Sequence, residues 1–311
     1  MSGRILRIAT RGSALAVAQT ELVIRCLTAA HPQLQVELVT IQTRGDQQQH
    51  APLWKLEGYG FFTTQVEAAL LDGRADMAVH SFKDMPTQSD ARLTVAAIFE
   101  RLYPEDAMVA ASEATCLDDI PQGAKVGTSS PRRMAQLAAL RPDLDVRPLR
   151  GNVETRVQKV RTGEYDAIVL ARAGLERLGM SDAISFCFDP TVFVAAPGQG
   201  ALAIQTRADD AATQALVACL NHTPTAVCVQ AERAVLAALH PGCHAPVGVH
   251  ARRVGDELEI FALAAPLQGW PCLRRQVRGD YRCGDALAAE LVEQLRQGGV
   301  EDILKPYEAG Q

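Results

Sequence analysis

No stretch of this 311-residue sequence stays apolar for the roughly 20 residues that a membrane helix needs. The most apolar run, 192–204, is broken by Pro197, Gly198, Gln199 and Gly200. The chain opens without the basic, apolar and small-residue stages of a secretory leader, so it is expected to stay in the cytoplasm and off the membrane. Aromatics are scarce at 5%. Lys and Arg together number 31 against 36 Asp and Glu, and the resulting net charge of -5 argues against general affinity for nucleic acid or anionic lipid. Any basic site must therefore be local. There is no C-x-x-C pair, no Walker sequence and no G-x-G-x-x-G, which removes the usual signatures of zinc, redox and nucleotide sites. The eight cysteines, at 26, 116, 187, 219, 228, 243, 272 and 283, are scattered as reduced packing thiols are. What remains, 48% hydrophobic and 22% charged, describes a soluble globular chain long enough for two or three domains.

Periodicity supplies the frame. Ile5–Thr10 reads as a strand and Ala14–Thr28 as a helix with apolar Leu15, Ala18, Leu22 and Cys26. A strand over Gln35–Ile41, a helix over Thr63–Leu71 and a strand over Met77–His80 complete a β-α-β-α-β run. The order returns as strand Ala124–Gly127, a helix ending at Leu140, strand Asp145–Leu149, a helix ending at Arg161 and strand Ala167–Ala171. Leu71-Asp72-Gly73-Arg74-Ala75-Asp76, before one closing strand, parallels Arg161-Thr162-Gly163-Glu164-Tyr165-Asp166 before the other. Two related α/β domains are therefore expected to face each other, with the loops at their strands' carboxyl ends lining a cleft. From Ala226 the texture changes to a helix at Val227–Leu239, a Gly/Pro turn around Cys243, strands near Val247–Arg253 and Leu258–Ala264, and a final helix over Ala286–Arg296. This reads as a third, smaller α+β domain. The expected borders are 1–99 with 200–220, then 100–199, then 221–311.

Ser130-Pro131 marks a helix start, an N-cap oxygen followed by proline in the first helical position. Arg132 and Arg133 follow in the first turn, where the helix dipole disfavours cations, so an anion is expected opposite them; two solvated arginines are the plainer alternative. Arg11 with Ser13, Arg150 before Asn152, Arg156 one turn later, and Arg177 repeat the pattern. Guanidinium forks suit carboxylates or phosphates, and the lack of a Gly-rich phosphate cradle favours carboxylates. Val79-His80-Ser81-Phe82-Lys83-Asp84-Met85-Pro86 ends a strand with a Lys-Asp pair. Asp84 there is placed to stabilise a cationic intermediate and move protons, or else is half of a surface ion pair. His80 is expected in the core. Leu239-His240-Pro241-Gly242-Cys243-His244 sets one thiol in a turn beside two histidines, a candidate nucleophile without the further ligands a zinc site requires.

Several segments now stand in order: Arg7-Ile8-Ala9-Thr10-Arg11-Gly12-Ser13-x-Leu15-Ala16-x-x-Gln19, Thr43-Arg44-Gly45-Asp46, Ala78-Val79-His80-Ser81-Phe82-Lys83-Asp84-Met85-Pro86 and Val126-Gly127-Thr128-Ser129-Ser130-x-Arg132-Arg133. Leu149-Arg150-Gly151-Asn152-Val153-x-Thr155-Arg156, Gly198-Gln199-Gly200-Ala201 and Gly242-Cys243 follow. The ordered set resembles the porphobilinogen deaminase family from the first strand into the third domain; beyond about Arg252 the likeness is of general pattern only. The resemblance implies an α/β fold: two type II periplasmic-binding-protein-like domains with a cleft between them, plus a small C-terminal α+β domain, in a monomer. It also implies a dipyrromethane cofactor linked through a thioether to Cys243, to which four porphobilinogen units are added with loss of ammonia before hydrolysis releases hydroxymethylbilane. Asp84 would be the catalytic residue. Arg11, Ser13, Gln19, Lys83, Thr128, Ser130, Arg132, Arg133, Arg150, Arg156, Arg177 and Gln199 would hold cofactor and substrate. No metal, nucleic acid or membrane partner is implied.

The sequence also departs from the family pattern. Tyr59 and Thr64 stand where lysines are common, implying an active-site lid with less cationic reach. His240-Pro241 replaces a usual Glu-Gly and Pro197 a common valine, changes that stiffen the cofactor loop and the interdomain hinge. Arg172 is an extra cation just past a strand end. Two other readings stay open: a non-catalytic binding protein of the same architecture, and a homologue that binds a tetrapyrrole as a regulator.

Overall fold

The computed structural model describes residues 5–42, 63–239 and 245–308. These fall into two compact units, one made of 5–42, 63–102 and 200–226, the other of 103–199, 227–239 and 245–308. Arg44, Gly45, Asp46, Tyr59 and the turn His240, Pro241, Gly242, Cys243, His244 lie outside the described residues.

In the first unit the chain forms β1 (Ile5–Arg11), α1 (Ala14–Ala30), β2 (Gln35–Ile41), α2 (Thr64–Leu71), β3 (Met77–Ser81) and β4 (Leu93–Phe99). The second unit begins with β5 (Asp106–Ala110), β6 (Lys125–Gly127), α3 (Pro131–Leu140) and β7 (Asp145–Arg147). It continues with α4 (Val153–Arg161), β8 (Ala167–Ala171), α5 (Arg172–Arg177) and β9 (Phe186–Cys187). The chain returns to the first unit as β10 (Leu202–Arg207) and α6 (Ala211–Val217), and α7 (Thr223–Leu239) leads back out.

The first sheet has the order β2-β1-β3-β10-β4 and the second β7-β6-β8-β5-β9. In each, three strands run parallel and the fourth in the row runs antiparallel to both its neighbours: β10 between β3 and β4, β5 between β8 and β9. The two sheets therefore share one plan. The expected β-α-β-α-β runs are present with ends shifted by a residue or two, whereas β4, β9 and the two inner antiparallel strands β5 and β10 are additions. Both inner strands are buried runs with no polar alternation, and β10 pairs far off in sequence, Leu202 facing Ser81.

The internal rhyme has a mechanical basis. Gly73 (φ 69) and Gly163 (φ 74) turn the chain out of α2 and α4 through a left-handed conformation. Three residues later Asp76 accepts a hydrogen bond from Arg7 N (3.0 Å), and Asp166 accepts one from Lys125 N (2.7 Å). Each aspartate thus ties the start of the third parallel strand to the start of the first. Ile8, Leu27, Met77 and Leu202 are fully buried in the first unit, as are Met108, Val126, Leu137 and Ile168 in the second. Each such side chain contributes about 1.5–3 kcal/mol of apolar burial.

Beyond α7, β11 (Val247–Val254), β12 (Glu257–Ala264) and β13 (Leu273–Asp280) form an antiparallel meander, followed by α8 (Gly284–Gln297) and α9 (Val300–Glu308). Val235, Val249, Ile260, Leu291 and Val300 close this core. The sequence reading lacks β13, whose Arg274, Arg275 and Arg278 mask its period-two burial at the end of the sheet, and takes α8 for the last helix. The expected α/β class, with two mixed sheets of one plan and a smaller α+β part after them, is the class observed. Among the described residues no helix is long and apolar enough to cross a membrane.

Candidate active site

In the first unit the expected residues gather at the carboxyl ends of β1 and β3, which are neighbours in the sheet. Arg11 ends β1 and Ser13 caps α1, its Oγ accepting from Ala16 N at 3.3 Å. Buried Thr20 donates from Oγ1 to Thr10 Oγ1 at 2.8 Å, pinning α1 to β1. Buried Gln19, one residue before, accepts through Oε1 from Ser81 Oγ at 3.0 Å, so the ends of the two strands are joined by side chains. After Ser81 comes a single 3-10 turn, Phe82–Asp84. Phe82 is buried and its N donates to Ala201 O, while Met85 N donates back to Phe82 O. Lys83 and Asp84 are exposed between these anchors, so the turn presents a cation and a carboxylate to solvent from a rigid mount.

His80 packs in the core as expected. Its Nε2 lies 3.0 Å from Gln205 Oε1, and Gln205 Nε2 donates in turn to Glu67 Oε1 at 3.0 Å. Burial, with a smaller contribution from the charge of Arg11, drives its pKa down to about 4 although the Gln205 contact opposes the shift. The imidazole is therefore neutral at pH 7 and donates to Gln205. The unfolded chain takes up this proton near pH 6.5 and the folded chain near 4, so stability falls as pH drops through that window, by about 3 kcal/mol in all. Denaturation of His80→Gln between pH 7 and 4 should lose that part of the slope; a slope equal to the parent's would show that His80 does not titrate this way.

In the second unit Thr128, Ser129 and Ser130 link β6 to α3. Ser129 Oγ donates to Leu149 O at 2.7 Å and accepts from Leu149 N at 2.9 Å, fixing the ends of β6 and β7 side by side. Ser130 occupies the N-cap position with Pro131 behind it, but its side chain makes no capping bond, and Thr128 Oγ1 instead accepts from Ser130 N at 3.3 Å. Asn152 does cap α4, accepting from Thr155 N at 2.8 Å. Arg150 follows β7 and is half-buried, as is Arg156, whose Nε donates to Gly151 O at 2.7 Å. Arg177 ends α5. Burial lowers the pKa of Arg150 and brings Arg177 down to about 10, a cost that an arriving carboxylate would offset.

Arg132 and Arg133 do face an anion, and it is internal. Asp106, fully buried at the start of β5, lies 2.7 Å from Arg132 Nη1 and 2.6 Å from Arg133 Nη2. Burial opposes its ionisation, but the two guanidinium charges outweigh that and hold its carboxyl well below the usual carboxylate range. Gln199 belongs to the same knot: 1% exposed, it donates to Asp106 Oδ1 at 3.0 Å and to Pro104 O at 2.8 Å. Arg132, Arg133 and Gln199, expected among the residues that hold cofactor and substrate, thus lie buried around Asp106, because the strand start of β5 brings a carboxylate beneath the helix start of α3. Two cations against one carboxylate leave the knot with an excess positive charge. Arg132 Nε is buried without a hydrogen-bond acceptor among the described residues, a donor suited to one more anion. Asp106 itself carries no local sequence signal; Pro104-Glu105-Asp106 reads as a surface turn. Among the described residues no three His, Cys, Asp or Glu side chains gather as a metal-ligand group.

Comparison with known proteins places these observations. The chain is similar to a lipoprotein of the YaeC family from Enterococcus faecalis (15% identity over 72% of this chain and 94% of that one, TM-score 0.44). It is also similar to the periplasmic aliphatic sulphonate binding protein SsuA from Escherichia coli (17%, 78% and 72%, 0.41) and the BvgS VFT2 domain of Bordetella pertussis (15%, 70% and 86%, 0.40). At these scores the likenesses assign nothing. The family models are specific: one described as porphobilinogen deaminase, dipyromethane cofactor binding domain, matches residues 6–215, and one described as porphobilinogen deaminase, C-terminal domain, matches residues 226–294. With both models matched in order over most of its length, the chain belongs to the porphobilinogen deaminase family, the hydroxymethylbilane synthases.

Proposed function

We propose that this chain, as a cytoplasmic monomer organised in domains 1–99 with 200–220, 100–199 and 221–311, joins four porphobilinogen molecules head to tail with loss of ammonia and releases hydroxymethylbilane by hydrolysis. The observation that carries the reading is Asp84, an exposed carboxylate on a turn anchored by buried Phe82 and Met85, in a chain whose family model is a dipyrromethane-binding domain. A dipyrromethane held by a thioether at Cys243 would supply the terminal pyrrole carbon to which the first unit is joined, each later unit being joined to the one before it. Its acetate and propionate groups fit the half-buried guanidiniums of Arg150 and Arg177, whose lowered pKa values mark sites that gain from an anion, and the orphaned Nε of Arg132. Arg11, Ser13, Gln19, Lys83, Thr128, Ser130, Arg133 and Arg156 complete the proposed set, with Gln199 acting from beneath through Asp106.

Asp84 then has two tasks. Its negative charge stabilises the cation that develops on porphobilinogen as the aminomethyl nitrogen leaves as ammonia, and its carboxylate can take up and return a proton as the new carbon–carbon bond is completed. The test is intact-protein mass. The purified chain should exceed its sequence mass by two linked pyrrole units and Cys243→Ser should not; a folded, active parent at sequence mass would end this reading.

A further inference from the structure

The chain leaves the first unit after Leu102 and re-enters it at Gly200. At its entry into the second unit Tyr103 has φ 54, the one non-glycine residue with positive φ among the described residues. A bulky side chain is disfavoured in this left-handed region because Cβ crowds the following carbonyl, and such a residue persists only where its neighbours over-determine it. Arg172, the cation just past β8 that the family pattern leaves unexplained, is the neighbour. Its guanidinium lies 4.0 Å from the Tyr103 ring centroid. Its backbone N donates to Glu105 O at 3.0 Å, and its Nη1 stands 3.9 Å from Glu105 Oε1. Its Nε donates to Glu176 Oε1 at 3.0 Å, and Ser181 Oγ fixes the other oxygen of Glu176 at 2.7 Å, so the plane that meets the ring is held from behind. The residues that follow Tyr103 are gripped as well: Pro104 O and Asp106 by Gln199, and Asp106 by Arg132 and Arg133.

We propose that Arg172 is a positioning residue of the reaction. By stacking on Tyr103 and holding Glu105, it keeps the entry turn left-handed and sets the register of Asp106, and through Asp106 that of Arg132 and Arg133. The proposal rests on the function proposed above, in which those two arginines meet carboxylates of cofactor and substrate. Arg172 touches no reacting group on this account and acts through Tyr103 and Glu105.

The experiment compares the parent with Arg172→Ala, Arg172→Lys, Tyr103→Gly and the double variant Arg172→Ala with Tyr103→Gly. Cofactor occupancy is read from intact mass, kcat and KM are measured with porphobilinogen, and hydrogen exchange is followed at the amides of Tyr103, Glu105 and Asp106. Arg172→Ala should load its cofactor and raise KM roughly tenfold, as loss of a stacked, partly desolvated cation does, with exchange at those amides accelerated by a similar factor. The double variant should recover most of both, because glycine adopts positive φ without strain. Arg172→Lys should raise KM by about threefold, since an ammonium stacks but cannot reproduce the planar fork, and it carries the test if Arg172→Ala does not fold. A parent-like KM in the arginine variants, a lowered melting temperature at unchanged KM, or a KM defect that Tyr103→Gly does not relieve would each overturn the proposal. The two failures separate: a parent without pyrrole mass removes the functional reading and this proposal with it, whereas a loaded parent with unaffected arginine variants removes this proposal alone.

Discussion

Asp84→Asn should keep its fold and its covalent pyrroles and lose ammonia release from porphobilinogen by about 10²- to 10⁴-fold, the share that a positioned acid–base group commonly carries. The size of the effect follows from the mount. Phe82 and Met85, each 3% exposed, fix the turn, and the side chain between them is exposed, so the amide disturbs no packing. Asparagine matches the carboxylate in shape but carries neither its charge nor its proton affinity, so what disappears is the stabilisation of a developing cation and the proton transfer. Asp84→Glu keeps the charge and displaces it by one methylene, and should retain part of the rate. Initial rates of ammonia release, beside intact mass for cofactor content, decide the matter. A rate for Asp84→Asn within a few-fold of the parent would remove the residue from the mechanism, and loss of the cofactor in that variant would move its role from turnover to loading.

The second large effect concerns stability. Asp106→Asn should lower the free energy of unfolding by about 3–5 kcal/mol, the cost of stripping one partner from a buried ion pair. The figure is large because Arg132, Arg133 and Asp106 are all nearly inaccessible, with side-chain exposures of 5%, 8% and 0%. Removing the carboxylate strands two guanidiniums in the interior with no compensating water. The Asp90–Arg92 pair at the surface is the internal control: its contact is just as short, 2.6 Å, but Arg92 is 70% exposed and the pair is screened by solvent, so Asp90→Asn should change little. Urea denaturation of both variants reads the comparison. Equal midpoints for the two would mean that Asp106 does not hold the arginines as described.

Much of this architecture could be read from the sequence because its signals are local. The parallel strands Ile5–Arg11, Gln35–Ile41 and Ala167–Ala171 announce themselves by apolar runs, and the glycines at 73 and 163 by the helices they end. The candidate residues of the first unit could be named for the same reason: Arg11, Ser13, Lys83 and Asp84 sit within a few residues of a strand end. What could not be read is long-range. Nothing near Arg132 says that its counter-ion is Asp106, more than two turns of chain and a whole strand earlier, and nothing near Leu202 says that it will lie beside Ser81. Three arginines in Leu273–Asp280 hid an edge strand whose apolar side, Leu273 and Val277, is only half of a period-two pattern. Cys243 was singled out by its turn and by the family resemblance, and its surroundings lie outside the described residues.

The borrowed fourth strand has a consequence for how the polypeptide is made. The second sheet is complete once Cys187 has been synthesised, since β5 to β9 are contiguous in the chain. The first sheet begins with Ile5 but cannot close until Leu202–Arg207 is delivered, because β10 sits between β3 and β4. On the ribosome, the half that is started first is therefore finished last. Until then β3 and β4 wait with unpaired edges, the kind of surface on which nascent chains associate with one another. A chain stopped just after Gln199 would be caught in that condition, with one sheet finished and the other split down its middle.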